Sequence, residues 1–153
     1  MRLWIAAVGR GGRAVSGGVY EDYARRLNWP LELREVELRQ TLPPEKRKIH
    51  ESEKLLAAVP EGAVLVALDE KGKALSSREF ALKLGAWRDD GIADLAFLVG
   101  GADGLNQSIR EKAALRLSLG PMTRPHLLVR GMLAEQLYRA QSILIGHPYH
   151  REG

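Results

Sequence analysis

Apolar and polar positions along the chain divide it into short apolar runs and longer stretches with helical periodicity. Arg2–Val8 is an almost continuous apolar run that ends at Gly9, which is typical of a strand buried on both faces. Further strands are predicted at residues 31–38, 63–68, 95–99 and 115–119. Helices are predicted between and after them, at residues 16–27, 43–59, 76–90, 106–114 and 127–145. Strands that alternate with helices predict an α/β fold with a mostly parallel sheet flanked by helices.

Three predicted strands run into segments with unusual backbone requirements. These segments are residues 68–72, 100–104 and 119–124. Gly120 and Pro121 exclude regular structure in the third, so its backbone groups face solvent or a ligand. Ligands of open α/β sheets bind beyond the carboxyl ends of the strands, and Gly100 and Gly101 would let a ligand approach the main chain. Ordinary turn glycines would give the same pattern, but three such loops at one sheet edge favour a binding site.

Composition and charge narrow the class of function. The 153 residues are predicted to form one domain, and the absence of cysteine excludes disulfides and thiolate catalysis. No apolar run reaches the roughly 18 residues of a membrane span, and the amino terminus is not a signal peptide, so we expect a soluble, cytoplasmic protein. The net charge of +4 comes from both ends of the chain, because residues 31–103 are acidic on balance. If the ends meet, they form a positive face suited to phosphate backbones, although a solvated surface would carry the same charges.

One motif favours a different function. Residues 9–14 have the spacing G-x-G-x-x-A directly after the first strand, and Glu35 and Glu37 follow at about the distance of a dinucleotide fingerprint. An NAD-dependent oxidoreductase is therefore one alternative, but the helix that follows begins poorly for binding pyrophosphate and the chain has no second domain. Arg10 and Arg13 in a glycine-rich loop suit contacts with RNA phosphates better. A non-catalytic RNA-binding module is the other alternative.

The remaining charged residues give weaker signals. His50 lacks a second histidine ligand because Lys54 stands at that position, and the histidines of residues 147–150 have no carboxylate or thiolate nearby in sequence, so no metal site is predicted. Glu135 and Arg139 are spaced for an ion pair within one helix, but Arg139 could also face a ligand or a partner subunit.

Segments along most of the chain carry a resemblance to a known family. They are VG (8–9), YARRL (23–27), LDEKGK (68–73), SSREFA (76–81), FLVGGADGL (97–105), LSL (117–119), MTRPH (122–126), EQLYRA (135–140) and PYHR (148–151). The last three, in this order and spacing, are highly specific. The sequence resembles the ribosomal large-subunit methyltransferase H family, which are small SPOUT, or α/β-knot, methyltransferases.

The resemblance implies a SPOUT α/β-knot fold with a trefoil knot near the carboxyl end, a homodimer, and S-adenosylmethionine (SAM) as the methyl donor. It also implies N3 methylation of a pseudouridine in a stem-loop of 23S ribosomal RNA, within the assembled ribosome. The matched cofactor positions are Leu68, Gly100, Leu119, Gly120, Pro121, Met122, Thr123 and Arg124. A related SPOUT enzyme acting on transfer RNA is the nearest competing reading.

The chemistry of this reaction predicts roles for the carboxyl-terminal residues 146–151, here called the tail. We expect the tail to lie over the cofactor site in the assembly. His150 is the candidate base for the N3 proton, and Tyr149 is suited to stacking on the base or hydrogen bonding with it. Arg151 is a candidate to stabilise negative charge on a uracil oxygen or to hold a phosphate. Arg10, Arg13 and Arg139 are the candidate RNA contacts.

Overall fold

A five-stranded parallel sheet forms the centre of the protein. The structure is a computed structural model and describes residues 1–11, 18–122 and 125–151, without the side chains of His126 and His150. The strands are β1 (Arg2–Val8), β2 (Leu31–Val36), β3 (Val64–Ala74), β4 (Asp94–Val99) and β5 (Leu115–Ser118). Their order in the sheet is β2-β1-β4-β3-β5. The predicted α/β class with a parallel sheet is confirmed.

Five helices and one short turn connect or follow the strands within the described residues. They are α1 (Val19–Ala24), α2 (Pro44–Ala57), α3 (Ser77–Asp89), α4 (Gln107–Lys112), α5 (His126–Ile145) and a 3-10 turn at Pro148–His150. Most predicted bounds agree within two residues. The first helix was predicted too long, since α1 ends at Ala24 rather than at residue 27, and Gly18, with φ +86°, is its N-cap. The predicted helix start at residue 16 lies outside the described residues.

Helices cover both faces of the sheet. On one face, Leu84 of α3 and Leu133 and Leu137 of α5 belong to the same fully buried cluster as Ile5 and Phe97 of the central strands. On the other face, Leu55 of α2 and Ile109 of α4 pack in a second cluster with Ala6, Ala67 and Leu98. Because β1 lies between β2 and β4 and is covered from both sides, its sequence is apolar at consecutive positions.

The third strand differs from its prediction, which ended it at residue 68. Leu68 and Lys73 both pair with Leu117 of β5, so residues 69–72 bulge out of the ladder and β3 then continues to Ala74. A Cβ atom on Gly72 would lie 2.6 Å from the carbonyl oxygen of Arg116, which is why glycine stands there. The expected loop at residues 68–72 is therefore a bulge inside a strand.

The knot implied by the resemblance concerns the path of the chain after β5. Residues 123 and 124 of that segment lie outside the described residues, and the knot stays a prediction.

Candidate active site

A cleft of about 510 Å³ lies at the carboxyl ends of the neighbouring strands β4, β3 and β5. Its walls come mainly from the bulge after Leu68, the glycine-rich turn at residues 99–105, and the segment after β5. These are the three segments that the sequence analysis expected at one sheet edge, and they do meet. The volume lies within the range of small-molecule sites in proteins.

Five of the eight residues predicted to bind the cofactor line this cleft. They are Leu68, Gly100, Leu119, Gly120 and Met122. Pro121 is exposed next to Met122 but does not line the cleft, and Thr123 and Arg124 lie outside the described residues. Met122 is an apolar residue with 76% of its surface exposed at the lip of the cleft. The assignment of these residues to a cofactor stays a prediction.

The glycine-rich turn is closed too tightly for a side chain at Gly100. A Cβ atom there would lie 2.6 Å from the carbonyl carbon of Gly104 and 3.0 Å from the backbone nitrogen of Leu105. The turn is held by a hydrogen bond of 3.0 Å from the Gly104 N–H to the Gly101 carbonyl oxygen. At Gly100, main-chain atoms rather than a side chain therefore line the cleft.

Ser118, the last residue of β5, connects two other walls. Its hydroxyl accepts a hydrogen bond of 3.0 Å from the Gly120 N–H and lies 3.0 Å from the carbonyl oxygen of Glu70 in the bulge, to which it donates. Gly120 has φ +123°, in the region that favours glycine. The chain after β5 is thus tied to the bulge of β3.

Charged side chains at the cleft include a loose ion pair. Oδ2 of Asp69 lies 3.6 Å from Nε of Arg110, and their side chains are 9% and 31% exposed. Oδ1 of Asp69 accepts a hydrogen bond from the Lys71 N–H. Including these, the described lining residues carry three carboxylates (Asp69, Glu70 and Asp103) and two cations (Lys71 and Arg110).

Two residues of α2 contact the glycine-rich turn and its continuation without lining the cleft. A Cβ atom on Gly101 would lie 3.4 Å from both carboxylate oxygens of Glu51, and the Ser52 hydroxyl accepts a hydrogen bond from the Asn106 N–H. Burial raises the pKa of the Glu51 carboxyl, although Arg47, at 3.7 Å, acts in the opposite direction. Sequence reasoning considered this segment only as an incomplete metal motif and missed its role.

Arg130 is a further residue whose role sequence reasoning missed. Its side chain is 2% exposed, and Nη2 donates to the carbonyl oxygens of Val8 at 3.0 Å and Gly9 at 2.6 Å. Nε lies 3.4 Å from a carboxylate oxygen of Glu35, and burial lowers the pKa of the guanidinium. Arg130 therefore ties α5 to the end of β1, where the glycine-rich segment of the dinucleotide-like motif begins.

The tail packs against α1 and α5 of its own chain. The Tyr149 hydroxyl lies 2.9 Å from the Tyr23 hydroxyl and 3.0 Å from Oε1 of Glu135. Arg139 donates two hydrogen bonds to Glu135, which is one of the two alternatives that their spacing left open, and its guanidinium lies 5.1 Å from the centre of the Tyr149 ring. Burial, followed by the hydrogen bonds with Tyr23 and Glu135, raises the pKa of Tyr149.

None of the described residues of the tail lines the cleft of its own chain. Arg151 is exposed, and the His150 side chain lies outside the described part of the structure. Arg10 forms an exposed ion pair of 3.0 Å with Glu37, and Arg13 lies outside the described residues. The catalytic and RNA-binding roles of these residues stay predictions.

The described residues include neither a candidate metal site nor a membrane-spanning helix. Their His, Cys, Asp and Glu side chains include no group of three that could hold a metal ion. The helices that the structure describes include none long and apolar enough to cross a membrane.

A family model and the sequences of known proteins match almost the entire chain. Residues 1–150 match the family model described as "Predicted SPOUT methyltransferase". The protein named ribosomal RNA large subunit methyltransferase H from Rhodospirillum centenum is 59% identical over 151 residues, which is 99% of each chain. The protein of the same name from Paramagnetospirillum magneticum is 54% identical, also over 99% of each chain.

A solved structure has a similar fold. It is described as a probable methylase family protein from Haemophilus influenzae Rd KW20, and it superimposes with a TM-score of 0.59 over 99% of this chain and 70% of that chain. The sequence identity is 13%, so this likeness concerns the fold alone.

Proposed function

We propose that this protein, which belongs to the SPOUT methyltransferase family together with the ribosomal RNA large subunit methyltransferase H proteins, methylates ribosomal RNA with SAM as the methyl donor. The proposed target is N3 of a pseudouridine in a stem-loop of 23S ribosomal RNA within the assembled ribosome. The observation that carries the proposal is the 59% identity to a ribosomal RNA large subunit methyltransferase H over 99% of both chains. An NAD-dependent oxidoreductase has no comparable support.

The cleft fits SAM in size and in charge. A volume of about 510 Å³ is sufficient for a nucleoside with an amino-acid side arm. SAM has a net positive charge because its sulfonium and ammonium groups outnumber its carboxylate, and the described lining residues have one more carboxylate than cation. Leu117, Leu119 and Val129 supply an apolar wall for adenine, and the turn at Gly100 exposes main chain to the ligand. Bound there, SAM supplies an electrophilic methyl group on its sulfonium.

The task of the chain's own residues is chiefly alignment, because methyl transfer is a direct displacement in which donor and acceptor must lie in line. The rigid turn at residues 100–104 and the segment after β5 would fix the donor side. His150 would accept the N3 proton of pseudouridine, and Arg151 would stabilise negative charge on a uracil oxygen. Tyr149 would contact the acceptor base, which is accessible when it is unstacked in a loop.

A homodimer is part of the proposal. Tyr149 packs on α1 and α5, and none of the described tail residues lines the cleft of its own chain, which supports a second protomer as the one that receives residues 149–151 at its cleft. The exposed Met122 at the lip of the cleft is consistent with a surface that a partner or the RNA covers. Because the proposed substrate is the ribosome, the proposed location is the cytoplasm.

The decisive experiment identifies the methylated nucleoside. Ribosomes and, in a parallel reaction, transfer RNA from cells that lack this protein would be incubated with the purified protein and isotopically labelled SAM, and the RNA would be digested to nucleosides for mass spectrometry. We expect labelled N3-methylpseudouridine from 23S ribosomal RNA of intact ribosomes. Label on transfer RNA instead would identify a related SPOUT enzyme, and binding of ribosomes without label would indicate a non-catalytic module.

A further inference from the structure

Asp69 and Arg110 differ from the other charged residues of the cleft in their burial. Glu70, Lys71 and Asp103 are exposed, whereas the side chains of Asp69 and Arg110 are 9% and 31% exposed. Asp69 belongs to the bulge of β3 and Arg110 to α4, so two separate elements bring opposite charges together in the cleft wall. Charges withdrawn from water in this way need partners of good geometry.

The pair does not satisfy that need by itself. The 3.6 Å between Nε of Arg110 and Oδ2 of Asp69 is too long for a hydrogen bond, and Nε of Arg110 is a buried atom with no hydrogen-bond partner among the described residues. Oδ1 of Asp69 is already occupied by the Lys71 N–H, which fixes the orientation of the carboxylate. Because Nε is buried, a ligand would reach this pair through the part of the Arg110 side chain that is exposed, and a ligand that carries one negative and one positive group could bind both side chains.

Arg110 also lies beside the glycine-rich turn that lines the cleft with main-chain atoms at Gly100. A Cβ atom added to Gly104 would lie 3.8 Å from Nη2 of Arg110, so the guanidinium runs alongside the turn that contains Gly100 and Gly101. A planar guanidinium can donate two parallel hydrogen bonds to a carboxylate, which a lysine cannot. The geometry therefore combines a carboxylate receptor and an ammonium receptor within one cleft.

We propose that Arg110 and Asp69 bind the amino-acid end of SAM, with the α-carboxylate on Arg110 and the α-ammonium on Asp69. The inference rests on the proposed function, because it takes SAM to be the ligand. It assigns two residues that are not among the cofactor positions implied by the family motifs. It also explains why the bulge of β3 is present, since the bulge presents Asp69 to the cleft.

Isothermal titration calorimetry with two ligands tests the proposal on the full chain. S-adenosylhomocysteine has the amino-acid end, and 5′-methylthioadenosine has the same adenosine and thioether without it. Arg110→Gln should weaken binding of S-adenosylhomocysteine by about tenfold and leave binding of 5′-methylthioadenosine within about twofold of the wild type. Asp69→Asn should give the same pattern, because it removes the negative charge that binds the ammonium group. Asparagine keeps an oxygen that can accept from the Lys71 N–H, so the bulge itself should be preserved. Lys112→Gln, an exposed change on α4 that does not line the cleft, should alter neither affinity.

Two outcomes would overturn the inference alone. Equal weakening of both ligands in Arg110→Gln and Asp69→Asn would show that the residues shape the cleft rather than bind the amino-acid end, and unchanged affinities would show that they do neither. If the wild-type protein bound neither ligand, the proposed function would fail as well. Methylation of ribosomes by the wild type, combined with either of the first two outcomes, would leave the proposed function standing. Melting temperatures of the variants show whether each one is folded before its affinity is compared.

Discussion

Replacement of Gly100 by alanine tests whether the tight turn forms the wall of the cleft. The new Cβ atom would lie 2.6 Å and 2.8 Å from the carbonyl carbon and oxygen of Gly104, and these backbone atoms cannot rotate away as a side chain can. Gly101→Ala is the matched control at the adjacent position. The three atoms nearest to its Cβ atom belong to side chains, at 3.1 Å in Val8 and 3.4 Å in Glu51, and these can move by a few tenths of an ångström.

The expected loss of stability follows from these contacts. Overpacking of this kind destabilises a protein by about 1–3 kcal/mol, and opening the turn would also break the hydrogen bond between Gly104 and Gly101, which contributes about 1 kcal/mol. A total of about 2–4 kcal/mol would lower the melting temperature by roughly 5–12 °C in a chain of this length. Gly101→Ala should stay within about 1 kcal/mol of the wild type.

Differential scanning calorimetry measures the melting temperatures, and titration with S-adenosylhomocysteine measures how tightly the cleft binds this ligand. We expect Gly100→Ala to bind about tenfold more weakly, because the turn has to move, while Gly101→Ala binds nearly as the wild type does. The reasoning would be refuted if the two variants had the same melting temperature and the same affinity. In that case the close approach of Gly100 to Gly104 would not be the reason for glycine at this position.

Three further predictions concern the tail, the basic loop and a buried acid. Removal of residues 147–153 should abolish methylation of ribosomes but leave the affinity for S-adenosylhomocysteine near that of the wild type; full activity of the truncated protein would exclude the tail from the chemistry. Arg10→Ala combined with Arg13→Ala should weaken ribosome binding and reduce the slope of log affinity against log salt by roughly 1.5, measured by filter binding. An unchanged slope would assign both arginines to solvent. The pKa of Glu51 is raised in the folded protein, so its ionisation destabilises the fold as pH rises through the ordinary carboxyl range. Glu51→Gln should therefore melt higher than the wild type at neutral pH, with the difference disappearing at about pH 4; a difference independent of pH would contradict this.

The parts of the fold that were predictable from the sequence are those set by local pattern. The apolar run of β1 directly reflects a strand between two neighbours and two layers of helices. The glycines and prolines after β4 and β5 identified two cleft walls because such residues act on the backbone wherever they stand. The order of the strands has no such local signal, since it depends on contacts between distant residues.

Three features of the site depend on those distant contacts. The bulge that carries Asp69 arises only from the pairing of β3 with β5. Arg110, which forms the ion pair with Asp69, belongs to a helix distant from Asp69 in the sequence. The role of Arg130 has no local signal in the sequence, because the carbonyl groups that it satisfies belong to Val8 and Gly9 at the other end of the chain. Likewise, the sequence of the tail does not reveal that Tyr149 packs against Tyr23.

The burial of α5 has a consequence for the synthesis of this protein. Leu133, Leu137 and Ala140 are fully buried in the same cluster as Leu3 and Ile5, so the first strand and the last helix complete one core. The hydrogen bond from Arg130 to Val8 spans 122 residues of chain. A nascent polypeptide therefore cannot bury the apolar side chains of its first strand in their final environment until translation has nearly ended. Contacts between the two ends of the chain raise the contact order, which slows folding, and the unfinished chain is exposed to aggregation during that interval.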